Sequence, residues 1–371
     1  MKVCIVSMHL AGYFDPQRRV ACAGAEVQAA FVARALREQG VDVRLVVGDV
    51  PPGVQFPYPA ESAFRSTDGA PVIRFFHPRM TGIMNALTKA DADIYYQRNA
   101  GMVTGLTAHF ARSHGRTFVY GAGSDTDFSL HRVLIEGMRD RVIYMYGLRR
   151  AHGVVVQNHA QMAMAKETLS SPVTTIPNGV LPAAQAGANP NGPVVWAGAL
   201  RAVKRPEMFI ELARRFPSRE FVMAGGAIST APGYAERAVR EAQSVPNLRL
   251  TGWLSHADVE QEIARAAAVV NTSTVEGFPN VYLEAWNHGV PVVSFNDVDG
   301  LLANERLGAL CTDLDDMEKK LRALLEDPAA TREAGERARH AVAQRFSPAV
   351  LGPRYLQFFE SLKPTRGDAA G

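Results

Sequence analysis

The stretch NTSTVEGFPNVYLEAWNHGVPVVS, from Asn271 to Ser294, decides how the rest of the chain is read. Just before it, Ala266 to Val270 is a short apolar run of the kind that forms a buried strand. A polar turn carries Glu276, and the loop Gly277-Phe278-Pro279-Asn280 follows. A helix opening at about Asn280 carries Val281 and Glu284, and Val290 to Ser294 reads as the next strand. Open α/β sheets bind ligands outside the carboxyl ends of their strands, which is where both glutamates fall. The opening turn of the helix also offers unsatisfied N–H groups and a partial positive charge, both suited to phosphate.

Working outward, 371 residues with 47% hydrophobic side chains suggest two globular domains rather than one. No apolar run is long enough to span a membrane. The start, MKVCIVSMHLAG, reads as a first strand rather than a signal peptide. Cys4, Cys22 and Cys311 lack disulfide or metal spacing, which fits a reducing cytoplasm. Residues 1–180 hold 19 Lys/Arg against 14 Asp/Glu, and the remainder holds 21 against 23. A mildly basic first half points to an anionic partner such as a lipid surface or lipid pyrophosphate, and is too weak a bias for nucleic acid.

In the first half, strands are expected at Val3 to Ser7, Val41 to Val47, Val72 to Phe76, Ile94 to Gln97, Thr117 to Tyr120, Val154 to Gln157 and Val173 to Ile176. Helices are expected at Glu26 to Gly40, Ile83 to Ala90 and Met102 to Ser113, with a basic helix end at Tyr144 to Ala151. The loop His9 to Cys22 carries Tyr13, Asp15, Arg18 and Arg19, and residues 51–70 read as a surface connection. Ala23-Gly24-Ala25-Glu26 sits at the mouth of the first strand, without the third glycine of a dinucleotide fingerprint. Asp125 and Asp127 lie in the loop Gly121 to Phe128, where either carboxylate would serve as a ligand or as a cap; His109 and His114 lie on a helix and a turn nearby. Residues 182–193 have linker composition.

In the second half, the strand Val194 to Ala197 leads into Gly198-Ala-Leu-Arg201-Ala-Val-Lys204 and a helix from Pro206. A glycine lets backbone approach a phosphate, Arg201 offers a fork and Lys204 a point charge. Phe221 to Ala224 ends in Gly225-Gly226, and Ser229 lies in the loop beyond. Leu248 to Thr251 leads into Gly252-Trp253-Leu254, and a helix over Asp258 to Ala266 brings the chain to the opening segment. After it come an edge strand at Gly308 to Cys311, amphipathic helices at Asp315 to Glu326 and Pro328 to Gln344, and a terminal helix at Ala349 to Leu362.

These motifs together resemble retaining glycosyltransferases of family four. Glu276-Gly-Phe-Pro-Asn-Val-Tyr-Leu-Glu284 with Gly289-Val-Pro-Val-Val looks like their E-x7-E signature. Gly198-x-x-Arg201-x-x-Lys204 looks like their diphosphate clamp, Pro177-Asn-Gly-Val180 like their NGV segment, and Ala23 to Glu26 like their Gly-Gly-Ala-Glu turn with alanine first. The resemblance implies the α/β GT-B fold, two Rossmann-like α/β/α domains facing across a deep cleft, with a C-terminal helix crossing back to the N-terminal domain. It divides the chain into an acceptor domain (1–181), a linker (182–193), a nucleotide-sugar domain (194–345), the crossing helix (346–363) and a tail (364–371). The implied reaction moves a hexosyl-type sugar, with retention and without a metal, from a UDP- or GDP-sugar to an acceptor hydroxyl.

The same resemblance implies roles. Arg201 and Lys204 hold the diphosphate, Glu284 the ribose, and Glu276 the donor sugar, with nucleophile or base as the open alternative for Glu276. Gly24, Gly198, Gly226, Leu254, Phe278, Pro279, Asn280 and Val281 line the donor site, and Asn296 to Gly300 is a turn near the donor sugar. A histidine common in the family's loop is replaced here at Gly123 to Asp125, with Asp125 as its substitute and Asp127 as fallback. The nucleotide sugar is a substrate, so no tightly bound cofactor is implied. The acceptor implied is a growing bacterial surface glycan or a polyprenyl-pyrophosphate-linked sugar, at the cytoplasmic face of the inner membrane. A soluble small-molecule acceptor stays open, as do a homodimer, an epimerase or phosphorylase of the same architecture, and a nucleotide-sugar-binding protein without turnover.

Overall fold

The computed structural model describes residues 1–15, 23–64, 75–135, 137–183, 189–227 and 232–362. The chain forms two compact units, one of Met1–Pro177 with the helix Pro348–Ser361, the other of Asn178–Ser347. The chain has joined the second unit before the Pro- and Gly-rich stretch at 182–193. Asn178 already donates to Phe278, and the Val180 amide donates to Phe346.

Among the described residues, the first unit holds a sheet of seven strands: β1 (Lys2–Val6), β2 (Asp42–Val47), β3 (Ala60–Ser62), β4 (Ile94–Arg98), β5 (Thr117–Gly121), β6 (Gly153–Val156) and β7 (Val173–Thr175). They lie in the order β3-β2-β1-β4-β5-β6-β7, and every pair is parallel. A parallel sheet is covered on both faces, which is why the central strands β1, β4, β5 and β6 are buried nearly throughout, whereas the outer β3 and β7 are only partly so. The helix Gly24–Glu38 packs on the C-terminal helix Pro348–Ser361, whose Tyr355 and Phe359 rings meet the Tyr96 ring of β4 at 6.1 and 5.9 Å. The helices Met102–Ser113 and Met138–Leu148 touch backbone to backbone. A Cβ on Gly147 would stand 2.6 Å from the backbone of Gly105, so glycine is required for that approach.

The second unit holds six parallel strands among its described residues: β8 (Val194–Ala197), β9 (Phe221–Ala224), β10 (Leu248–Gly252), β11 (Ala268–Asn271), β12 (Val292–Ser294) and β13 (Gly308–Leu310). Their order is β10-β9-β8-β11-β12-β13. The strand period of two splits the core into two layers. Val195, Val222, Val269 and Val292 pack with Tyr282, Trp286 and Phe346 on one face, and Trp196, Phe221, Met223 and Val270 pack with Phe209 and Ile210 on the other.

Several elements depart from the sequence reading. Of the strand expected at Val72 to Phe76, the first residues lie outside the described ones, and Phe75 and Phe76 belong to the segment Phe75–Met80, whose backbone is kinked and extended at His77. The connection at 51–70 contributes an edge strand, β3, because its amides and carbonyls pair with β2. The strand expected from Val290 starts at Val292, since the Val290 amide turns back to Ala285 O at 2.8 Å and closes the preceding helix. The basic helix end at Tyr144 belongs to a helix that begins earlier, at Met138, and stops at Leu148. Arg18, Arg19, Cys22 and Ser229 lie outside the described residues.

Candidate active site

Strand order reverses between β8 and β11, and the loops that leave two such neighbouring strands part to opposite faces and open a crevice. The loop after β8 is Gly198 to Arg205, and the loop after β11 is Thr272 to Pro279. The two stretches singled out by sequence therefore meet at one point of the second unit, although 72 positions separate Lys204 from Glu276.

Hydrogen bonds stitch these loops together. The Lys204 ammonium donates to Glu276 Oε1 at 2.5 Å, and both side chains are largely sheltered. Thr272 Oγ1 donates to Lys204 O at 2.7 Å and accepts from Trp196 Nε1 at 3.0 Å, while the Thr274 amide donates to Val203 O at 2.9 Å. Arg205 donates through Nε to Thr272 O at 2.7 Å and lays its guanidinium over the Phe295 ring. Asn271 adds a 3.3 Å contact to Glu276 Oε1. Arg201 stands apart: it is exposed, with no side-chain hydrogen bond or ion pair among the described residues. One cation of the expected pair is thus spent on the glutamate and the other is open to solvent.

Gly198 bonds through its amide to Ala224 O, and the Leu200 amide bonds to Gly226 O, so the loop after β8 lies against the end of β9. A Cβ on Gly225 would stand 1.8 Å from Gly198 O, which excludes any side chain there. Gly226 faces the indole of Trp253, which donates to Ala227 O at 3.0 Å and remains 48% exposed. Trp253 therefore presents a ring face beside the glycine pair, ahead of the half-buried Leu254.

Pro279 opens the helix Asn280–Asn287 with no capping side chain, leaving its positive end uncovered by an acid in the first turn. The Phe278 ring packs on Phe346, so this residue offers its backbone to the crevice. Val281 is half-buried at the edge of the same core. Asn178, which the sequence reading used only as part of a turn, donates to Phe278 O at 2.8 Å and Asn280 Oδ1 at 2.7 Å. No local pattern links positions a hundred residues apart, so the partner of that asparagine was invisible in the sequence. Tyr282 likewise braces the turn at Asn296, its hydroxyl donating to Asn296 O at 2.8 Å and sharing a 2.5 Å hydrogen bond with the Ser294 hydroxyl.

Glu284 lies buried on that helix, and burial, with the Glu260 carboxylate second, pushes its carboxyl up to about 8. His256 Nδ1 stands 3.7 Å from Glu284 Oε1, and His256 Nε2 stands 3.9 Å from Glu260 Oε1. Burial holds His256 down at about 4, and raises Glu260. At neutral pH the imidazole is neutral and Glu284 carries its proton. Neither Glu260 nor His256 was marked by the sequence, because only the packing of the helix His256–Ala264 against the helix Asn280–Asn287 brings them to Glu284.

In the first unit, Gly24 opens the helix Gly24–Glu38 at the carboxyl end of β1, the neighbour of β4 at that sheet's own reversal point. Glu26 accepts from the Ala23 amide at 3.0 Å and so closes the helix start. Asp125 accepts from Gln161 Nε2 at 2.9 Å and Asn158 Nδ2 at 3.3 Å. Asp127 is committed to structure: Tyr120 Oη, Gly123 N and Ser124 N all donate to its buried Oδ2 at 2.7 to 3.2 Å. His109 contacts Tyr146 Oη at 3.3 Å and His114 stacks on Phe110 at the far end of the same helix, and both side chains are exposed. No group of three or more His, Cys, Asp or Glu able to hold a metal ion occurs among the described residues.

Comparison with known proteins agrees with this architecture. Residues 192–327 match the family described as Glycosyl transferases group 1. The fold is that of the GT-B glycosyltransferases, as the solved structures it resembles make plain. Sucrose-phosphate synthase from Thermosynechococcus elongatus superimposes with a TM-score of 0.74 at 18% identity, covering 98% of this chain and 99% of that one. HepE of Anabaena, solved with UDP and glucose, gives 0.73 at 16%, covering 97% and 100%. WaaG, a glycosyltransferase involved in lipopolysaccharide biosynthesis, gives 0.64 at 15%, covering 96% and 99%. No curated protein sequence matches the chain. Among the described residues, no helix is long and apolar enough to cross a membrane.

Proposed function

We propose that the protein is a retaining glycosyltransferase that moves a hexosyl-type sugar from a nucleoside diphosphate sugar to an acceptor hydroxyl. The observation that carries the reading is the meeting of the Gly198–Lys204 loop with Glu276 and the start of the helix Asn280–Asn287 at the β8/β11 reversal point. Arg201, Lys204 and the positive end of that helix bind the diphosphate and stabilise the charge that grows on it as the glycosidic bond breaks, without a divalent cation. Gly198 and Gly226 let it approach the backbone, and the peptide groups at Phe278 to Asn280 share its oxygens. Glu284 accepts from the ribose hydroxyls, Leu254 with Trp253 lies against the base, and Glu276 orients the donor sugar.

The Lys204–Glu276 contact makes this site self-neutralised before the donor arrives. Binding transfers the ammonium from carboxylate to phosphate and frees Glu276 for sugar hydroxyls. Retention follows when the acceptor oxygen attacks the face from which the diphosphate departs, the leaving phosphate taking the acceptor's proton. Gly24 offers its helix start to a phosphate or sugar hydroxyl, and Asp125 holds a sugar hydroxyl or an acceptor group. The acceptor is a lipid-linked or growing bacterial surface glycan met at a membrane surface, a reading favoured by the basic first half of the chain and by the likeness to a lipopolysaccharide enzyme. The donor base is uridine or guanosine, with the UDP-bound likeness in favour of the former.

Thermal shift with UDP, GDP and their sugar conjugates in EDTA tests the reading, since a ligand that binds only the folded state raises its melting temperature. One nucleotide should stabilise the wild type and not Lys204→Ala, which should also lose turnover by orders of magnitude. A Lys204→Ala protein with full affinity and turnover would falsify the clamp assignment.

A further inference from the structure

The first unit carries an exposed apolar patch that the proposed chemistry does not use. Phe76, Leu134, Met138 and Val142 are 60, 71, 65 and 55% exposed, and they make up most of the large hydrophobic side chains exposed among the described residues. Met138 and Val142 are four apart on one face of the helix Met138–Leu148, so they stand side by side. Arg139 lies over the Phe75 ring at 4.1 Å, and Phe75 meets Phe76 edge to face at 5.2 Å, which brings the segment Phe75–Met80 to the same helix turn. Arg141 Nε donates to Ile135 O at 2.7 Å and ties the loop bearing Leu134 to that turn. The apolar side chains therefore belong to one surface.

Cations are interleaved with them. Arg132 and Arg139 are exposed, Arg141 is half-buried, and His131 is exposed beside them. The sequence of 131–142 sets three arginines against two acids, Glu136 and Asp140, and Asp140 is paired with Arg139 at 2.7 Å. Both helix arginines sit in the first turn, where the helix dipole opposes positive charge and an external anion relieves the opposition.

We propose that this surface docks the first unit onto an anionic lipid bilayer, the four apolar side chains entering the acyl boundary and the arginines meeting headgroup phosphates. Long cationic side chains around apolar ones suit this division between headgroup and acyl layers. A second copy of the chain is the poorer occupant, because a two-fold contact would set these arginines against their own equivalents. This inference rests on the reading of a lipid-linked acceptor and names the surface that would meet it.

Vesicle co-sedimentation of the full chain tests it, using phosphatidylglycerol-containing and pure phosphatidylcholine vesicles at low and high salt. The wild type should bind the anionic vesicles, weaken with salt, and bind phosphatidylcholine poorly. Met138→Gln/Val142→Gln and, separately, Phe76→Ser should each lower the partition coefficient about tenfold or more, as the removal of large apolar groups from the acyl boundary requires. Equal binding by wild type and both variants, or no binding by the wild type, overturns the proposal. So does a wild-type dimer in light scattering that the double variant abolishes, which would assign the patch to a second copy. The nucleotide thermal shift, measured on the same proteins, reports the transferase reading separately and should be unchanged in the variants.

Discussion

Raising the pH from 6.5 to 8 should weaken the second unit, and Glu284→Gln should remove most of that loss. An unfolded glutamate ionises near 4.5, whereas burial and the neighbouring Glu260 keep the proton on Glu284 up to about 8. Between those values the folded state holds a proton that the unfolded state has released, so stability falls as pH rises and levels off above the folded value. His256 works in the opposite sense, its value being lowered from 6.5 to about 4, so its contribution rises with pH over that interval. Below 6.5 the two slopes oppose each other; above it only that of Glu284 remains. The remaining interval of about 1.5 pH units corresponds to about 2 kcal/mol. For a unit of this size that is roughly 4–8 °C in melting temperature. Calorimetric melts of wild type and Glu284→Gln at half-unit pH steps give the difference directly, and taking the difference cancels groups common to both proteins. Parallel curves from 6.5 to 8 would refute the assignment of a buried, protonated Glu284.

Three further substitutions probe the parts that hold the loops. Asn178→Ala removes the donor to the buried Phe278 O and to Asn280 Oδ1, and should weaken nucleotide binding about tenfold in calorimetric titration while costing about 1–3 kcal/mol of stability. Unchanged affinity would detach Asn178 from the site. Tyr120→Phe takes a donor from the buried Asp127 carboxylate and should cost about 1–3 kcal/mol in urea unfolding; a change within error would show that the two amides suffice. Gly147→Ala drives a Cβ against the Gly105 backbone and should cost about 1–3 kcal/mol, whereas the exposed Asn85→Ala should be near neutral.

The repeated pattern of apolar runs and helical periods was enough to read a parallel α/β protein, because strands covered on both faces must be apolar throughout and crossovers need helices. Motif spacing singled out Arg201, Lys204, Glu276 and Glu284 as candidates, since loop chemistry at a strand end is encoded locally. Partners distant in the chain were not legible. That Lys204 rests on Glu276 and that Asn178 holds the peptide of Phe278 both depend on which strands lie side by side. Strand order in a parallel sheet is set by how crossover helices pack, which no single segment records. The protonation of Glu284 is of the same kind: its side chain is encoded at one position, but its charge is decided by the core, Glu260 and His256 gathered around it.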